Sequence, residues 1–506
     1  MRNGWLAGLL FLAGCGGSSG GDSGGGPSTA ATPQSLCVSL NGQVFSTPDG
    51  NATVVSTSFN SISGNKPEHC QVLGSIPPAL HFEMRLPSQW NQRVLYMGGG
   101  GFDGVIPLPH DLAFSQGYVT VGSDGGHPLG VDESWAFDTE KLNDYAYRSV
   151  HKTLTAARLI MQQRYGQGAV RTYFEGCSNG GREALIQAQR YPNDFDGVIA
   201  RAPAWNIAEL MLAGNKSMQQ FFASVSTQLS SAKVATLSNA VLAACDGLDN
   251  LQDGIIGNAA ACQFNPMVLR CAGADNDACL TDAQITTVNT LYAVFRFSNN
   301  VPYYIGWPAG GESDPVGWSA WVASQSNGLP SYSTRFIRYF LLNDPNYDPM
   351  IFVPENHLPE IVNRATLLDA SATDYSMFRA RNGKLILWHG TNDWAISFNS
   401  TALYYRDVVT AAGTQAAADQ FVEFFPAPGV QHCGGGSGPD LVDLLTPLKN
   451  WVENGIAPSQ QNMTSFKVNW STLAITNTRP LCKYPRYPRY VGSGDPNAAS
   501  SFACTL

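Results

Sequence analysis

The sequence predicts an α/β protein that carries a large insertion, and three observations point to it. Residues 170–174 (Val-Arg-Thr-Tyr-Phe) read as a strand and residues 181–190 as a helix, with Gly176-Cys177-Ser178-Asn179-Gly180 between them. Two later apolar strands, at 384–388 and 421–425, each run into a loop holding glycine and polar residues. The stretch from about residue 205 to 382 between these halves is far too long for a loop. Composition agrees: of 506 residues, 44% are hydrophobic and 11% aromatic, enough to fill a sizeable core. Charged residues are only 14%, the net charge is −9, and no long basic run occurs, which excludes a nucleic-acid partner held through its backbone. Beyond the N-terminus no apolar stretch reaches the length of a membrane span.

At the N-terminus, Arg2 supplies a short positive region, and the apolar residues 5–13 are too few to cross a bilayer. They end in Leu12-Ala13-Gly14-Cys15, which resembles a bacterial lipobox in which Cys15 is lipidated and tethers the chain to a membrane. An ordinary secretory signal is the alternative. Residues 16–26 are Gly/Ser-rich and 27–33 add Thr, Ala and Pro, so residues 16–36 read as a flexible tether. Both readings send the body out of the cytoplasm, as a secreted, periplasmic or outer-membrane protein, where disulfides are permitted. Cysteine parity fits: of 11 cysteines, Cys15 leaves an even set. Proximity suggests Cys245 with Cys262, Cys271 with Cys279, Cys482 with Cys504, and Cys37 with Cys70. That leaves Cys177 and Cys433. Metal binding is the rival use of these thiols, but no CxxC pair is present to favour zinc.

The segment around Ser178 fits G-x-S-x-G, a weak signal alone, but its strand-to-helix context sharpens it. Flanking glycines permit a tight turn that pushes Oγ outward, and the helix N-terminus favours developing negative charge. A serine nucleophile needs a base, and the base needs an orienting carboxylate. In the α/β-hydrolase arrangement the chain order is Ser, acid, His, with the last two on loops after later strands. The first late strand runs into His389-Gly390-Thr391-Asn392-Asp393, making Asp393 the acid. The second runs into Gln431-His432-Cys433-Gly434, making His432 the base. Among the rivals, His389 directly follows the strand and reads as support for the acid loop. His127 precedes Ser178 and breaks the order, and Glu423 lies inside a strand pattern. The oxyanion should be held by the N–H of Asn179, after the nucleophile, and by one from an early glycine loop. Gly98-Gly99-Gly100-Gly101 after the strand at 94–97 is that loop. A helix from about residue 141 to 163 reads as scaffold.

Together, Gly98-Gly99-Gly100-Gly101, Asp124-Gly125-Gly126-His127, Gly176-Cys177-Ser178-Asn179-Gly180-Gly181-Arg182-Glu183 and His432-Cys433 resemble the tannase/feruloyl esterase family, which includes mono(2-hydroxyethyl) terephthalate hydrolases. The tail segments Arg479-Pro480-Leu481-Cys482 and Gly492-Ser493-Gly494-Asp495 fit as well, so the likeness runs from about Cys37 to Cys504. The resemblance implies an α/β-hydrolase fold over residues 37–204 and 383–506, with residues 205–382 as a lid domain. It implies a Cys177–Cys433 disulfide that ties the nucleophile turn to the base loop, and Gly101 as the second oxyanion donor. It also implies a structural Ca2+ in the lid. From the residues alone, three aspartates within eight positions, spaced by glycines, can surround a hard cation, although the pattern is not an EF-hand. The family spacing assigns carboxylates to Asp246, Asp249 and Asp253 and backbone carbonyls to Leu251 and Ile255.

These readings imply a monomeric serine esterase for a small aromatic ester. The lid is rich in aromatics: Trp307, Trp318, Trp321, Tyr332, Phe336, Tyr339, Phe340 and Tyr347, most of them expected in its core. A terephthalate monoester would call for an arginine clamp on its free carboxylate. Residues 324–330, where the family's terephthalate hydrolases carry that clamp, contain no arginine, and Arg335 and Arg338 lie in an apolar-looking helix. Feruloyl, other hydroxycinnamoyl or galloyl esters therefore fit better, with the terephthalate monoester as the alternative. A lipase, a peptidase and a non-catalytic binding lipoprotein are the rival classes; the last predicts a damaged triad, and none is seen.

Overall fold

The computed structural model describes residues 31–130 and 132–506; Cys15, the signal and most of the tether lie outside the described residues. Ten strands form one sheet: β1 (Val44–Thr47), β2 (Gly50–Asn60), β3 (His69–Ile76), β4 (Leu80–Pro87), β5 (Arg93–Met97), β6 (Val119–Ser123), β7 (Arg171–Cys177), β8 (Gly197–Arg201), β9 (Lys384–Gly390) and β10 (Val422–Ala427). Their spatial order is β1-β2-β3-β4-β6-β5-β7-β8-β9-β10. The run from β1 to β4 and the β4–β6 pairing are antiparallel; from β6 to β10 every pairing is parallel. The sequence shows why. β3 and β4 largely alternate buried with more exposed positions, as one-sided strands do. β9 (Lys-Leu-Ile-Leu-Trp-His-Gly) is buried throughout, as a strand covered on both faces must be.

One face of the sheet packs on helices α1 (Ser149–Tyr165), α2 (Asn179–Arg190) and α6 (Phe398–Ala411), through Leu154, Ile160, Leu185 and Tyr404 against Tyr96, Phe174, Leu385 and Leu387. The other packs on α7 (Leu445–Asn454), with Leu448 and Trp451 against Leu95, Tyr173, Ile199 and Ile386. The insertion between β8 and β9 holds α3 (Ile207–Phe221), α4 (Ser231–Cys245) and α5 (Gly328–Arg335). Its core of Leu237, Val288, Trp307, Trp318 and Phe336 is continuous with Phe102, Tyr145, Trp394 and Ile396 from the loops at the sheet's C-terminal edge. Apolar packing therefore seats the insertion over that edge.

Two boundaries differ from the sequence reading. The helix expected over 141–163 is broken by a widened turn at Asp144–Arg148, before α1 begins at Ser149. Asp144 in that turn is fully buried and accepts from Lys152 Nζ at 2.9 Å and Arg148 Nε at 2.9 Å, a polar anchor that apolar periodicity cannot register. Helix α2 starts at Asn179 rather than 181, directly after the serine. Ten cysteines lie among the described residues, and all are paired: Cys37–Cys70, Cys177–Cys433, Cys245–Cys262, Cys271–Cys279 and Cys482–Cys504. No helix among the described residues is long and apolar enough to cross a membrane.

Candidate active site

Strand order reverses at β5, which has β6 on one side and β7 on the other. In an open α/β sheet, a crevice forms outside the C-terminal ends of strands at such a switch point. Two loops leave from it here: the glycine run after β5 and the turn after β7.

That turn places Ser178 at φ 65° and ψ −119°, a backbone conformation few non-glycine residues adopt, so the serine is held outward under strain. Its neighbours must be small. A Cβ at Gly176 would lie 2.4 Å from the Gly180 carbonyl oxygen, and one at Gly180 would lie 2.6 Å from that of Gly99. The G-x-S-x-G pattern is thus dictated by the tightness of the turn at Gly176 and by its close approach to the glycine run at Gly180. Backbone bonds fix the turn: the Ser178 N–H donates to Arg201 O at 3.0 Å, and Ser178 O accepts from the N–H of Arg182 at 3.0 Å and Ala204 at 3.1 Å.

Asp393 lies just past β9 and is buried. Its Oδ1 accepts the N–H groups of Ala395 at 2.8 Å and Ile396 at 2.9 Å. Its Oδ2 faces His432 Nδ1 at 2.8 Å and His389 Nε2 at 3.1 Å. Burial opposes the charge, but the two imidazoles outweigh it and hold the carboxyl well below the usual carboxylate range. His389 is fully buried, and Thr401 Oγ1 sits 2.8 Å from its Nδ1. The hydroxyl can donate there, which leaves Nε2–H to donate to Asp393. His389 therefore supports Asp393. The Cys177–Cys433 disulfide joins the residue before Ser178 to the residue after His432. Glu423 is turned away, accepting from the Ser459 N–H at 2.8 Å.

Gly101, at φ 58°, and Asn179, the first residue of α2, border the same cavity as Ser178 and His432. Behind them lies a buried polar network whose roles the sequence analysis did not assign. Asn179 Nδ2 donates to Asp103 Oδ1 at 2.9 Å, and Arg182 Nε donates to Asn179 Oδ1 at 2.7 Å. Tyr145 Oη donates to Gly101 O at 3.2 Å, and the Gly99 N–H donates to Glu183 Oε2 at 2.9 Å. His127 Nε2 lies 3.0 Å from Phe102 O, bracing the same loop. Burial and repulsion from Glu183 raise the Asp103 carboxyl well above its ordinary value; burial likewise raises Glu183, against the pull of Arg182.

The cavity measures about 480 Å³. Its insertion side is apolar, with Ile207, Leu210, Met211 and Leu329 beside the rings of Trp321 and Tyr332. Trp321 meets His432 edge-on at 5.0 Å between centroids. Of the other aromatics singled out in the sequence, Trp307, Trp318, Phe336, Tyr339 and Phe340 are buried in the insertion's core, and Tyr347 packs against it. Arg335 lies behind the wall, paired with Glu133 at 2.5 Å and stacked over Tyr332 at 4.6 Å, and Arg338 Nε donates to Tyr347 O at 2.9 Å. The wall does hold one arginine the sequence analysis passed over, Arg201 at the end of β8, with Glu175 beside it.

The acidic turn of the insertion is closed by Cys245–Cys262. Asp246, Asp249 and Asp253 there accept the N–H groups of Gly254 at 3.0 Å, Leu251 at 3.1 Å and Ile255 at 3.1 Å. Asp246 Oδ1 is buried without a hydrogen-bond partner, and Arg479 pairs with Asp253. Burial, then repulsion from Asp253 and Asp246, pushes Asp249 up to about 7.

The profile of the family described as "Tannase and feruloyl esterase" matches residues 65–505. The chain is 32% identical over 515 aligned residues to the mono(2-hydroxyethyl) terephthalate hydrolase of Piscinibacter sakaiensis, covering 87% of this chain and 85% of that one. It is 30% identical to the probable feruloyl esterase B-2 of Neosartorya fischeri, covering 83% of each. Among solved structures, feruloyl esterase B from Aspergillus oryzae superposes with a TM-score of 0.86 at 26% identity, over 94% of this chain and all (100%) of that one. With an α/β-hydrolase fold carrying a large insertion and a sequence matched from end to end of its body, the chain belongs to the tannase and feruloyl esterase family and is a carboxylic ester hydrolase.

Proposed function

We propose that the protein hydrolyses esters of aromatic carboxylic acids, feruloyl or other hydroxycinnamoyl and galloyl esters, through an acyl-enzyme on Ser178. The observation that carries this reading is the cavity: an apolar arm walled by Trp321 and Tyr332 opens on Ser178, and the arginine in its wall already has a carboxylate partner. A planar ring of neutral charge suits such an arm.

In this mechanism His432 takes the proton from Ser178 Oγ as the oxygen attacks the ester carbonyl. Asp393 holds His432 through Nδ1 and stabilises its imidazolium. The N–H groups of Gly101 and Asn179 hold the oxyanion. The alcohol leaves with the proton from His432, and water then cleaves the acyl-enzyme by the same route. The Cys177–Cys433 bridge keeps nucleophile and base in register before substrate arrives.

The residues of the acidic turn fit a structural Ca2+: the donors are hard oxygens, the three carboxylates lie close enough for two to repel the third, and one buried carboxylate oxygen has no partner. Asp246, Asp249 and Asp253 would hold it with the Leu251 and Ile255 carbonyls, offsetting charge in the lid. The five disulfides support export to an oxidising compartment, with a tether through Cys15 if it is lipidated. We read the chain as a monomer.

The test is initial rates on methyl ferulate, methyl gallate, mono(2-hydroxyethyl) terephthalate and p-nitrophenyl butyrate, with Ser178→Ala as control. Ferulate or gallate turnover that vanishes in the control is the expected result. A preference for the terephthalate monoester would replace this reading with the terephthalate-hydrolase alternative, and no turnover of any ester would overturn both.

A further inference from the structure

We infer that Arg201 and Glu175 form a subsite for the alcohol half of the ester, and that it selects alcohols carrying a free hydroxyl. The inference rests on the aromatic-acyl reading for its orientation, with the acyl ring in the apolar arm. Cys177 pairs in register with Arg201 across β7 and β8, so the guanidinium emerges beside the nucleophile turn. Its Nε donates to Glu175 Oε1 at 2.7 Å, its Nη2 donates to Val442 O at 3.1 Å, and it lies 5.2 Å over the Trp388 ring. Three contacts thus fix the fork, and Nη1 is left without a protein partner among the described residues. Val442 follows the His432 loop, so Arg201 is anchored on the side of the base. That is the side from which the departing alcohol takes its proton.

Glu175 supplies the second observation. It is 5% exposed, its Oε1 accepts from Arg201 and its Oε2 lies buried with His110 Nε2 3.7 Å away, so it neutralises the guanidinium from within the cavity wall. Arg201 thus presents an unpaired donor whose charge is already matched. A hydroxyl can accept from Arg201 Nη1 without bringing a charge of its own. A carboxylate would meet an arginine that already has its counter-ion. The pair therefore suits a neutral polyol, sugar or hydroxyalkyl group rather than a free acid.

The test compares 2-hydroxyethyl ferulate with propyl ferulate, which have equal numbers of heavy atoms. Wild type should favour the hydroxyethyl ester in kcat/KM by about tenfold or more, the size of a hydrogen bond to a charged group. The double variant Glu175→Gln/Arg201→Met leaves no unpaired charge, and its ratio should fall toward one. If it does not fold, Arg201→Lys, which keeps the charge and displaces the fork, should lower the ratio in the same direction. A wild-type ratio near one, or equal loss on both esters in the variants, overturns the subsite. So does loss, with Arg201, of a preference for monomethyl over dimethyl terephthalate, since that would make Arg201 a carboxylate clamp. The same ratio on 2-hydroxyethyl and propyl butyrate separates the two readings. Turnover of butyrates without ferulates overturns the aromatic-acyl reading, while the butyrate ratio still decides the subsite.

Discussion

Asp393 ties two histidines to the backbone of its own loop. Two imidazoles share its Oδ2, and two backbone N–H groups occupy its Oδ1. Its folded pKa is depressed, so it contributes stability that is complete well above the unfolded value of about 3.9 and is lost as pH falls through the folded value. Asp393→Asn should lower kcat by about 10⁴-fold, because the amide no longer holds His432 in the productive tautomer. The informative variant is His389→Leu. It removes one donor from Asp393 and leaves His432 in place, so kcat should fall by about tenfold with KM little changed. Steady-state kinetics on methyl ferulate check both, and a change in KM alone for His389→Leu would mean that it shapes the pocket instead.

At the scale of elements, the glycine run and helix α2 behave as one unit. Asp103 and Glu183 stand between them, and through Asn179 and Gly99 they brace the two loops proposed to hold the oxyanion. Both carboxyls have raised folded pKa values. The folded chain therefore binds more protons here than the unfolded one. The stabilisation is present below the unfolded values near about 4 and is lost as pH rises through the folded ones. Asp103→Asn keeps an acceptor for Asn179 without a titrating proton. Its melting temperature should change less with rising pH between 5 and 9 than that of wild type, read by calorimetry. Asp103→Ala should lose activity at every pH, since Asn179 then loses its acceptor.

For the molecule as a whole, the site depends on segments far apart in the chain being brought together. The Cys177–Cys433 bridge closes a separation of 256 residues, which limits how far Ser178 and His432 can drift apart. The double variant Cys177→Ser/Cys433→Ser should lose about 2–5 kcal/mol of stability. It should also lose kcat at temperatures where it remains folded, which thermal melts paired with rates would register. Removing calcium should act differently. With the proposed ion in the insertion, excess chelator should lower the melting temperature by several degrees and added Ca2+ should restore it, with kcat unchanged below the transition. An unchanged melt would remove the ion from the account.

The catalytic candidates were legible because each is announced by local pattern. Ser178 sits where an apolar strand meets a helix across glycines, and Asp393 and His432 each follow an apolar strand in the order the fold requires. Proximity gave four of the disulfides and likeness to the family the fifth. Side chains that meet only through strand register were not legible. Glu175 and Arg201 read as strand residues, and nothing in their neighbours along the chain says that β7 and β8 lie side by side with Cys177 opposite Arg201. Glu183 lies inside a family motif and Asp103 just past the glycine run, yet their raised pKa values exist only because folding buries both. Periodicity and turn chemistry report what a residue does for its own few neighbours, and from these the sequence alone determined the fold class and the candidate triad. Which charges are buried together, and which polar atoms are left facing the cavity, depends on contacts between distant segments, and only the tertiary structure decided them.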